Sequence, residues 1–327
     1  MAFSQFKRLI DTYDIFFITC HETPDGDAIG AEIAMYHALT SIGKRVRIIN
    51  ADPVPDKYRY LYTAGTVELI QDLDEKPESD SVLLILDTND IHNIGEVAES
   101  LLPHTAEYFI IDHHESGKDI SSGRVIEASA SSTCEILFKI MSELGIAISK
   151  EMAIALYTGI IYDTGCFVYP KTTAFTFSAA EKLVRAGANP NSLYTAIYES
   201  NSISSLKLQA RVLSSLELHY DHHVAVLTML RETIAAAGAL YEEADTLINI
   251  PLQSEKIRVS VFFKENTEGL LRCSLRSKGN INVSRIAQKY GGGGHRTAAG
   301  FKSPCPLDQI HTLVLQDLAV HFPGTIA

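Results

Sequence analysis

The chain has 327 residues, which exceeds the usual span of one hydrophobic core, so two domains are expected. Its 46% apolar and 21% charged residues exclude global disorder, and no apolar run is long enough to predict a membrane-spanning helix. A formal net charge of −12 argues against binding to long duplex nucleic acid, which needs many cationic side chains to neutralise its phosphates.

The first half of the chain alternates predicted strands and helices. Short apolar, β-prone runs predict strands at 14–19, 44–50, 81–86 and 108–111. Amphipathic or apolar runs predict helices at 28–42, closed by Gly43, and at 131–145, 150–162 and 173–187. Apolar strands separated by helices are typical of a parallel sheet covered on both faces, so an α/β fold is predicted for an N-terminal domain over residues 1–187.

The second half changes in style after a turn-rich break at 187–191. Residues 192–218 have a helical pattern and predict a bridging helix inside a linker over 188–218. Beyond it, strands are predicted at 224–230, 257–263 and 270–275, and helices at 281–289 and 306–321. This pattern predicts a smaller α+β domain over residues 219–327.

Residues 256–302 form a basic segment in an acidic chain. They contain ten basic and two acidic side chains, a net charge of +8, so the rest of the chain carries −20. A local basic patch of this kind favours a small anionic ligand over a polymer, although a solvated basic face has the same composition. The five cysteines form no C-x-x-C pair, and the N-terminal residues lack a signal-peptide pattern, so a cytoplasmic protein is expected.

Four groups of acidic and imidazole side chains follow the ends of predicted elements. They are His21 with Asp25 and Asp27, then Asp87-Thr-Asn-Asp90, then Asp112-His113-His114, and last Asp163-Thr-Gly165. One such group alone is ordinarily a turn or a helix cap. Because parallel strands end at a common edge of their sheet, four groups at these positions predict a shared site. Converging carboxylates repel unless cations hold them, and imidazole with carboxylate suits ions such as Mn²⁺, so a metal centre is predicted.

The order H-x-x-x-D-x-D, then a strand-end Asp, then D-H-H and D-T-G resembles the DHH phosphoesterase family. The C-terminal half carries Leu275-Arg276-Ser277, Asn282-Val-Ser284 and Gly291-Gly-Gly-Gly-His295-Arg-Thr-Ala-Ala-Gly300, which resembles the DHH-associated domain of that family. The resemblance spans roughly residues 14–302 and is closest to the branch of NrnA-type oligoribonucleases and pAp phosphatases. It departs at His92 and Asn93, where many relatives carry an arginine.

The resemblance implies two divalent ions, with Mn²⁺ as the first candidate and Mg²⁺ or Co²⁺ as alternatives. One ion would be held by His21, Asp25 and Asp87. The other would be held by Asp27, Asp87, His113 and Asp163, with Asp87 bridging. The family's catalytic residues would then be Asp87, Asp112, His113 and His114, where Asp112 fixes the imidazole of His113 and His114 faces the substrate phosphate.

The resemblance also implies that the second domain grips a terminal phosphate, with the active site in the cleft between the two domains. Its substrate-binding residues would be His114, Arg276, Ser277, Asn282, Gly293, Gly294 and His295. Glycine runs let backbone N–H groups converge on an anion, and arginine adds a bidentate donor. A flexible linker is the weaker interpretation of the glycine run. The letters Asp221-His222-His223 repeat the D-H-H motif but precede a predicted strand, so no metal role is expected there.

The sequence therefore predicts metal-dependent hydrolysis of very short oligoribonucleotides, such as dinucleotides, with conversion of pAp to AMP as a further activity. A phosphodiesterase acting on cyclic dinucleotides or their linear products shares the motifs. A family II pyrophosphatase differs in its second domain, and a RecJ-like exonuclease on long DNA needs a broader basic track. A catalytically inactive nucleotide-binding sensor would ordinarily have lost some of the six metal-ligand candidates, all of which are present. The oligomeric state, including a homodimer, stays open.

Overall fold

The computed structural model describes residues 2–73, 79–114, 123–266 and 268–324. The chain divides into two compact units, Met1–Ser200 and Asn201–Ala327, called unit 1 and unit 2. In the described part of the chain, no helix combines the length and the apolar composition that crossing a bilayer requires.

Unit 1 alternates strands with helices. Its helices are α1 (Ala2–Thr12), α2 (Gly26–Ser41), α3 (Glu96–Ser100), α4 (Thr133–Leu144), α5 (Lys150–Asp163), α6 (Ala174–Arg185) and α7 (Pro190–Tyr198). Its strands are β1 (Ile15–Thr19), β2 (Arg45–Asn50), β3 (Val67–Leu69), β4 (Ser81–Leu86), β5 (Glu107–Asp112) and β6 (Gly123–Ile126). The four predicted strands and the four predicted helices of this half are confirmed within two residues at each end.

The strands of unit 1 form one parallel sheet in the order β3-β2-β1-β4-β5-β6. Both of its faces are covered, since Phe16 and Ile18 of β1 belong to one buried cluster and Ile15 and Phe17 belong to another. The strand order reverses between β1 and β4, and ligands of such sheets bind at the carboxyl ends of the strands at this point. The predicted parallel α/β fold is therefore confirmed.

Unit 2 is a smaller α+β unit, as predicted. Its helices are α8 (Ile203–Leu213), α9 (Arg231–Ala237), α10 (Ser284–Lys289) and α11 (Leu307–Ala319). Its strands are β7 (Glu217–His219), β8 (Val224–Met229), β9 (Val259–Glu265), β10 (Leu271–Ser277), β11 (Gly293–His295) and β12 (Ala298–Lys302). They form a mixed sheet in the order β11-β12-β10-β9-β8-β7, in which β8 and β9 are parallel.

The prediction of one continuous helix over 192–218 is wrong. Helix α7 ends at Tyr198 and α8 begins at Ile203, because the Ser202 side chain accepts a hydrogen bond from the Ser205 N–H and caps a new helix. The last residues of the predicted helix form β7 instead. Within the glycine run, Gly293–His295 pairs with β12 as a strand, so this part of the run is not a flexible linker.

Candidate metal centre

The predicted metal ligands converge at the carboxyl ends of β1, β4 and β5 in unit 1. The Nε2 atom of His21 lies 3.6 Å from Oδ2 of Asp87. The Nε2 atom of His113 lies 3.6 Å from Oδ1 of the same Asp87 and 2.9 Å from Oδ2 of Asp163. It also lies 3.9 Å from Oδ2 of Asp27. These five side chains lie on or directly after five separate elements, β1, α2, β4, β5 and α5, and thus meet in a single site.

These side chains form two sets of potential metal ligands that meet at Asp87. His21, Asp25 and Asp87 form one set, and Asp27, His113 and Asp163 form the other, with the ligand atoms of each set within 4.8 Å of one another. Asp87 and His113 also form such a group with His114, which links the two sets. One oxygen of Asp87 faces His21 and the other faces His113. A carboxylate that presents one oxygen to each set has the geometry of a bridging ligand.

Asp87 is held in an uncommon conformation. Its side chain is buried, and its backbone lies in the left-handed region with φ of 62°. Its N–H donates a hydrogen bond to the Ile111 carbonyl at 3.0 Å, and the Thr133 hydroxyl donates to Oδ1 at 2.9 Å. Left-handed backbone at a non-glycine residue costs free energy and is concentrated at functional sites. The contacts with Ile111 and Thr133 oppose this cost and orient the carboxylate.

Asp27 is placed by the start of helix α4. Its Oδ2 accepts a hydrogen bond from the Thr133 N–H at 2.6 Å, and its Oδ1 accepts one from the Cys134 N–H at 3.0 Å. The first N–H groups of a helix lack partners within the helix, so they suit a carboxylate. Gly159 of α5 lies against this pair, and a Cβ atom at this position would overlap both Asp27 and Cys134. Glycine is therefore required where α5 approaches Asp27.

The carboxylates of the centre carry more negative charge than its imidazoles can neutralise, so a cation would stabilise them. Burial, and then the neighbouring Asp27 and Asp25, raise the pKa of Asp87 well above its usual range. Burial, followed by the charge of Asp163, raises the pKa of Asp27 to about 6. Burial opposes protonation of His113, yet its hydrogen bond to Asp163 and the charge of Asp27 outweigh that effect and raise its pKa to about 9. Protons and ions thus compete for a cluster that holds excess negative charge.

The donor atoms fit divalent ions. The Nδ1 atom of His21 lies 2.7 Å from the Glu22 carbonyl oxygen, so Nδ1–H donates and the Nε2 lone pair is left facing Asp87. Carboxylates supply most of the remaining donors, and no cysteine belongs to either set. Oxygen-rich sets with some imidazole favour Mn²⁺ or Mg²⁺ over a structural zinc ion.

Asp112 does not contact His113 in the way that was predicted. Its buried Oδ1 lies 2.7 Å from Nδ1 of His114, whereas Nδ1 of His113 is buried without a hydrogen-bond partner in the described residues. The prediction that Asp112 fixes the His113 imidazole is therefore wrong. Residues two apart in extended backbone project to the same side, which brings Asp112 to His114. His114 is 48% exposed, so a ring oriented by Asp112 is accessible from solvent.

Several contributors had not been identified from the sequence. Thr133 is the first residue of α4 and ends a Ser-Ser-Thr run, a pattern that indicates a helix cap and gives no sign of a hydrogen bond to a remote aspartate. The Asn89 amide donates to the His114 carbonyl at 3.0 Å, and the Asn93 amide donates to the Thr88 hydroxyl at 3.1 Å. Asn93 thus supports the loop after β4. No local signal could have indicated the contact between Asn89 and His114, because these residues lie in two separate loops.

The predicted phosphate-binding residues of unit 2 divide into separate groups. Arg276 of β10 lies opposite Ala298 of β12, which in turn lies opposite His295 of β11. Side chains directly opposite one another on neighbouring strands share a face, so Arg276 and His295 lie on the same face of the sheet. β11 is the end strand of this sheet in the described residues, and its glycines leave that face open.

Ser277 and Asn282 are oriented differently from Arg276. Ser277 alternates to the other face, is 9% exposed, and donates a hydrogen bond from its hydroxyl to the Ile281 carbonyl at 2.8 Å. The Asn282 side chain accepts a hydrogen bond from the Ser284 N–H and lines a depression together with Arg285 and Arg296. The expectation of a single clamp that includes the Ser277 hydroxyl is therefore not met, because strand alternation turns this side chain to the core.

The second D-H-H sequence is a turn. Asp221 and His222 have φ of 51° and 70° and precede β8, as predicted. Among the described residues, none of these three side chains belongs to a group of potential metal ligands. His223 instead contacts the Lys256 carbonyl through its Nδ1 atom.

Two family models match the chain. The DHH family N-terminal domain matches residues 15–160, and the DHHA1 domain matches residues 222–316. The chain is 31% identical to the bifunctional oligoribonuclease and PAP phosphatase NrnA of Thermus thermophilus, over 92% of this chain and 88% of that protein. It is 26% identical to NrnA of Bacillus subtilis over 90% of both chains.

A solved structure is similar over nearly the whole chain. It is that of an exopolyphosphatase-related protein from Bacteroides fragilis, which is 27% identical with a TM-score of 0.92 and covers 98% of this chain and 96% of its own. Both domain models and the full-length likeness to NrnA of Thermus thermophilus agree with the arrangement of acidic and imidazole ligands in unit 1. The chain therefore belongs to the DHH family, with an N-terminal DHH domain and a C-terminal DHHA1 domain.

Proposed function

We propose that this chain is a two-metal phosphoesterase that hydrolyses very short oligoribonucleotides and converts pAp to AMP. The observation that carries the proposal is the position of Asp87, whose two oxygens face His21 on one side and His113 on the other. The likeness to the NrnA proteins supports the substrate class, since their names state both activities.

In this proposal His21, Asp25 and Asp87 would hold one divalent ion, and Asp27, Asp87, His113 and Asp163 would hold the other. Such a pair of ions would lower the pKa of a bound water molecule and stabilise the charge that develops on phosphoryl oxygens. Mn²⁺ is the ion that we propose first, with Mg²⁺ or Co²⁺ as alternatives, because carboxylate oxygens outnumber imidazoles among the donors. Thr133 keeps the bridging carboxylate oriented by its hydrogen bond.

His114 is the proposed contact to the scissile phosphate. Its ring is accessible from solvent and its Nδ1 atom is engaged by the buried Asp112, which leaves Nε2 as the free ring nitrogen. Because Nδ1–H donates to Asp112, Nε2 carries a hydrogen only when the ring is an imidazolium, and the Nε2–H of that form would donate to a phosphoryl oxygen without reorganising during the reaction. Asp112 is then a positioning residue, because it acts through His114.

Unit 2 is the proposed substrate-binding unit. Arg276 and His295 share one face of the sheet, and the backbone N–H groups of Gly293 and Gly294 lie on the end strand beside them. Together they provide donors for a terminal phosphate. Asn282 lies in the separate depression with Arg285 and Arg296 and offers a second basic surface for the substrate backbone. Short single-stranded RNA and pAp carry phosphates that such donors recognise.

The base is expected to stack on an aromatic ring of unit 1. Tyr169 is 56% exposed and lies against Gly165, where a Cβ atom would overlap its ring. Gly165 is two residues beyond the metal-ligand candidate Asp163, so the ring lies near the proposed reaction centre. Stacking on tyrosine tolerates any base, because every base has an aromatic face.

A cytoplasmic location is part of the proposal, supported by five free cysteine thiols.

A panel assay tests this function. The purified chain with Mn²⁺ is supplied with pAp, RNAs of two to five nucleotides, pGpG, cyclic dinucleotides and pyrophosphate. We expect the highest kcat/KM on dinucleotide RNA or pAp. Faster hydrolysis of a cyclic dinucleotide or of pyrophosphate would replace the proposed substrate class, and binding of nucleotides without hydrolysis would indicate a sensor.

Substitution of Asp87 tests the metal centre in the same assay. Asp87→Ala should lower kcat by more than about 100-fold, because residues that only support metal ligands are already worth about 10–100-fold. Asp221→Ala is the matched control, since it removes the aspartate of the second D-H-H sequence and should leave activity unchanged. Activity above a tenth of wild type in Asp87→Ala would contradict the bridging role.

A further inference from the structure

A second group of potential metal ligands lies in unit 2 and is not part of the proposed function. It consists of Glu217 and His219 on β7 and His311 on α11. Glu217 and His219 are two residues apart in a strand, so their side chains project to the same face. The three ligand atoms lie within 4.8 Å of one another.

Within the part of the chain that the structure describes, the Nε2 atoms of the two histidines in this group have no hydrogen-bond partner. The Nε2 atoms of His219 and His311 are both buried, and neither has a partner in the described residues. A buried polar atom without a partner destabilises the folded state. The two Nε2 atoms therefore lower the stability of the folded chain unless they bind a further group. A cation bound by both imidazoles and by the Glu217 carboxylate would satisfy them.

The distances match those of ligands around a tetrahedral ion. Oε2 of Glu217 lies 3.4 Å from Nε2 of His219 and 3.3 Å from Nε2 of His311. Zinc bonds to nitrogen and oxygen are about 2.0–2.2 Å long, so tetrahedral ligands are about 3.3–3.5 Å apart. A direct N–H···O hydrogen bond is shorter, at about 2.7–3.2 Å. The separation thus fits side chains that share a cation better than side chains that bond each other.

The donor set also differs from that of the centre in unit 1. Two imidazoles and one carboxylate favour borderline ions such as Zn²⁺, whereas the carboxylate-rich centre of unit 1 favours harder ions. Glu217 is 51% exposed, so an ion can reach the group from solvent. The ring of Phe263 lies 5.8 Å from that of His311, which places apolar surface on the inner side.

We propose that Glu217, His219 and His311 form a Zn²⁺-type site that ties strand β7 to helix α11. β7 has three residues and pairs with β8 in the described sheet, where it is the end strand. Such a short strand forms few hydrogen bonds with β8 and is held weakly by them. A metal ion bound by β7 and α11 would hold the strand in place. Three protein ligands leave a fourth position for water.

Zinc stoichiometry of the full chain tests the site. The chain is freed of metal with a chelator, dialysed against Zn²⁺, and its bound zinc is measured by atomic absorption. We expect His311→Ala to bind one ion fewer per chain than wild type. The matched control is His222→Ala, which removes an exposed histidine of the same unit and should bind as many ions as wild type. His219→Gln is the second variant if His311→Ala does not fold, and it should also lose one ion.

Two further readouts separate the site from the centre in unit 1. Mn²⁺-dependent hydrolysis should stay within twofold of wild type in His311→Ala, and Asp87→Ala should retain the ion that His311→Ala loses. Titration of wild type with Co²⁺ should give the visible absorption of a four-coordinate ion, and the same titration of His311→Ala should lack that component. Equal zinc contents in wild type, His311→Ala and His219→Gln would overturn the proposal and leave a histidine–glutamate contact only.

Discussion

Thr133 shows how one hydroxyl orients the centre of unit 1. It is fully buried and donates to Oδ1 of Asp87, while its backbone N–H serves Asp27. Substituting Thr133→Val removes the hydroxyl and keeps the backbone contact. We expect kcat to fall by about 10–100-fold, the usual effect of losing a partner of a metal ligand.

The matched variant for this position is Thr133→Ser, which retains the donor. It should keep kcat within a few-fold of wild type, and the Mn²⁺ concentration needed for half-maximal activity should rise in the valine variant only. Equal kinetics for the valine variant and wild type would show that the hydroxyl does not position Asp87.

Glu32 is a buried carboxyl that makes stability depend on pH. Burial raises its pKa to about 8 from the ordinary 4.5, although the Asn50 and Cys20 hydrogen bonds oppose the shift. Between pH 5 and 8 the folded chain retains a proton that the unfolded chain releases. The free energy of unfolding therefore falls as pH rises through this range, by up to about 4 kcal/mol from this group.

Glu32→Gln isolates this contribution, because an amide occupies similar space and does not ionise. Urea unfolding in the presence of a chelator should show wild type losing more stability than the variant between pH 5 and 8. Parallel curves for the two proteins would mean that Glu32 is ionised in the folded chain throughout this range.

At the scale of elements, strand register decides which residues of unit 2 can act together. Arg276 and His295 share one face of the sheet, whereas Ser277 is turned to the core. We expect His295→Ala to raise KM for dinucleotide RNA by about tenfold or more, since a hydrogen bond to a charged group is worth about 1.5–3 kcal/mol. Ser277→Ala should raise KM less and chiefly lower thermal stability.

KM and kcat of both variants are measured at saturating Mn²⁺ and compared with those of wild type. An unchanged KM in His295→Ala would remove this histidine from the proposed phosphate contact. A larger KM effect in Ser277→Ala than in His295→Ala would mean that the inner face, and not the face shared with Arg276, binds substrate.

At the scale of the whole molecule, the acidic charge outside residues 256–302 includes the buried carboxylates of unit 1. Because these carboxylates repel one another, metal ions that bind them should stabilise the folded state. Ligands that bind only the folded chain stabilise it by about 2.7 kcal/mol at a concentration 100 times their Kd. We expect the midpoint temperature of thermal unfolding, Tm, of the chelated chain to rise when Mn²⁺ is added. The shift should be much smaller in Asp87→Ala and unchanged in Asp221→Ala. Equal shifts in all three chains would indicate binding elsewhere.

Local sequence by itself determined the main strands and helices of unit 1 and the identity of the candidate ligands. The apolar run before His21 and the one before Asp87 have the length and composition of buried strands, and both form strands that end at the metal centre. Strand ends and chemically distinctive side chains are local properties, so periodicity and motif order suffice to predict them. The parallel sheet followed from the alternation of strands and helices along the chain.

Only the tertiary structure decided how these side chains are paired. The hydrogen bond from Thr133 to Asp87 and the contact of Asp112 with His114 depend on how loops and helices approach in space. The group formed by His219 and His311 joins a strand and a helix that no motif connects. Hydrogen bonds and metal coordination require distances within a few tenths of an ångström, and packing among elements remote in sequence sets such distances.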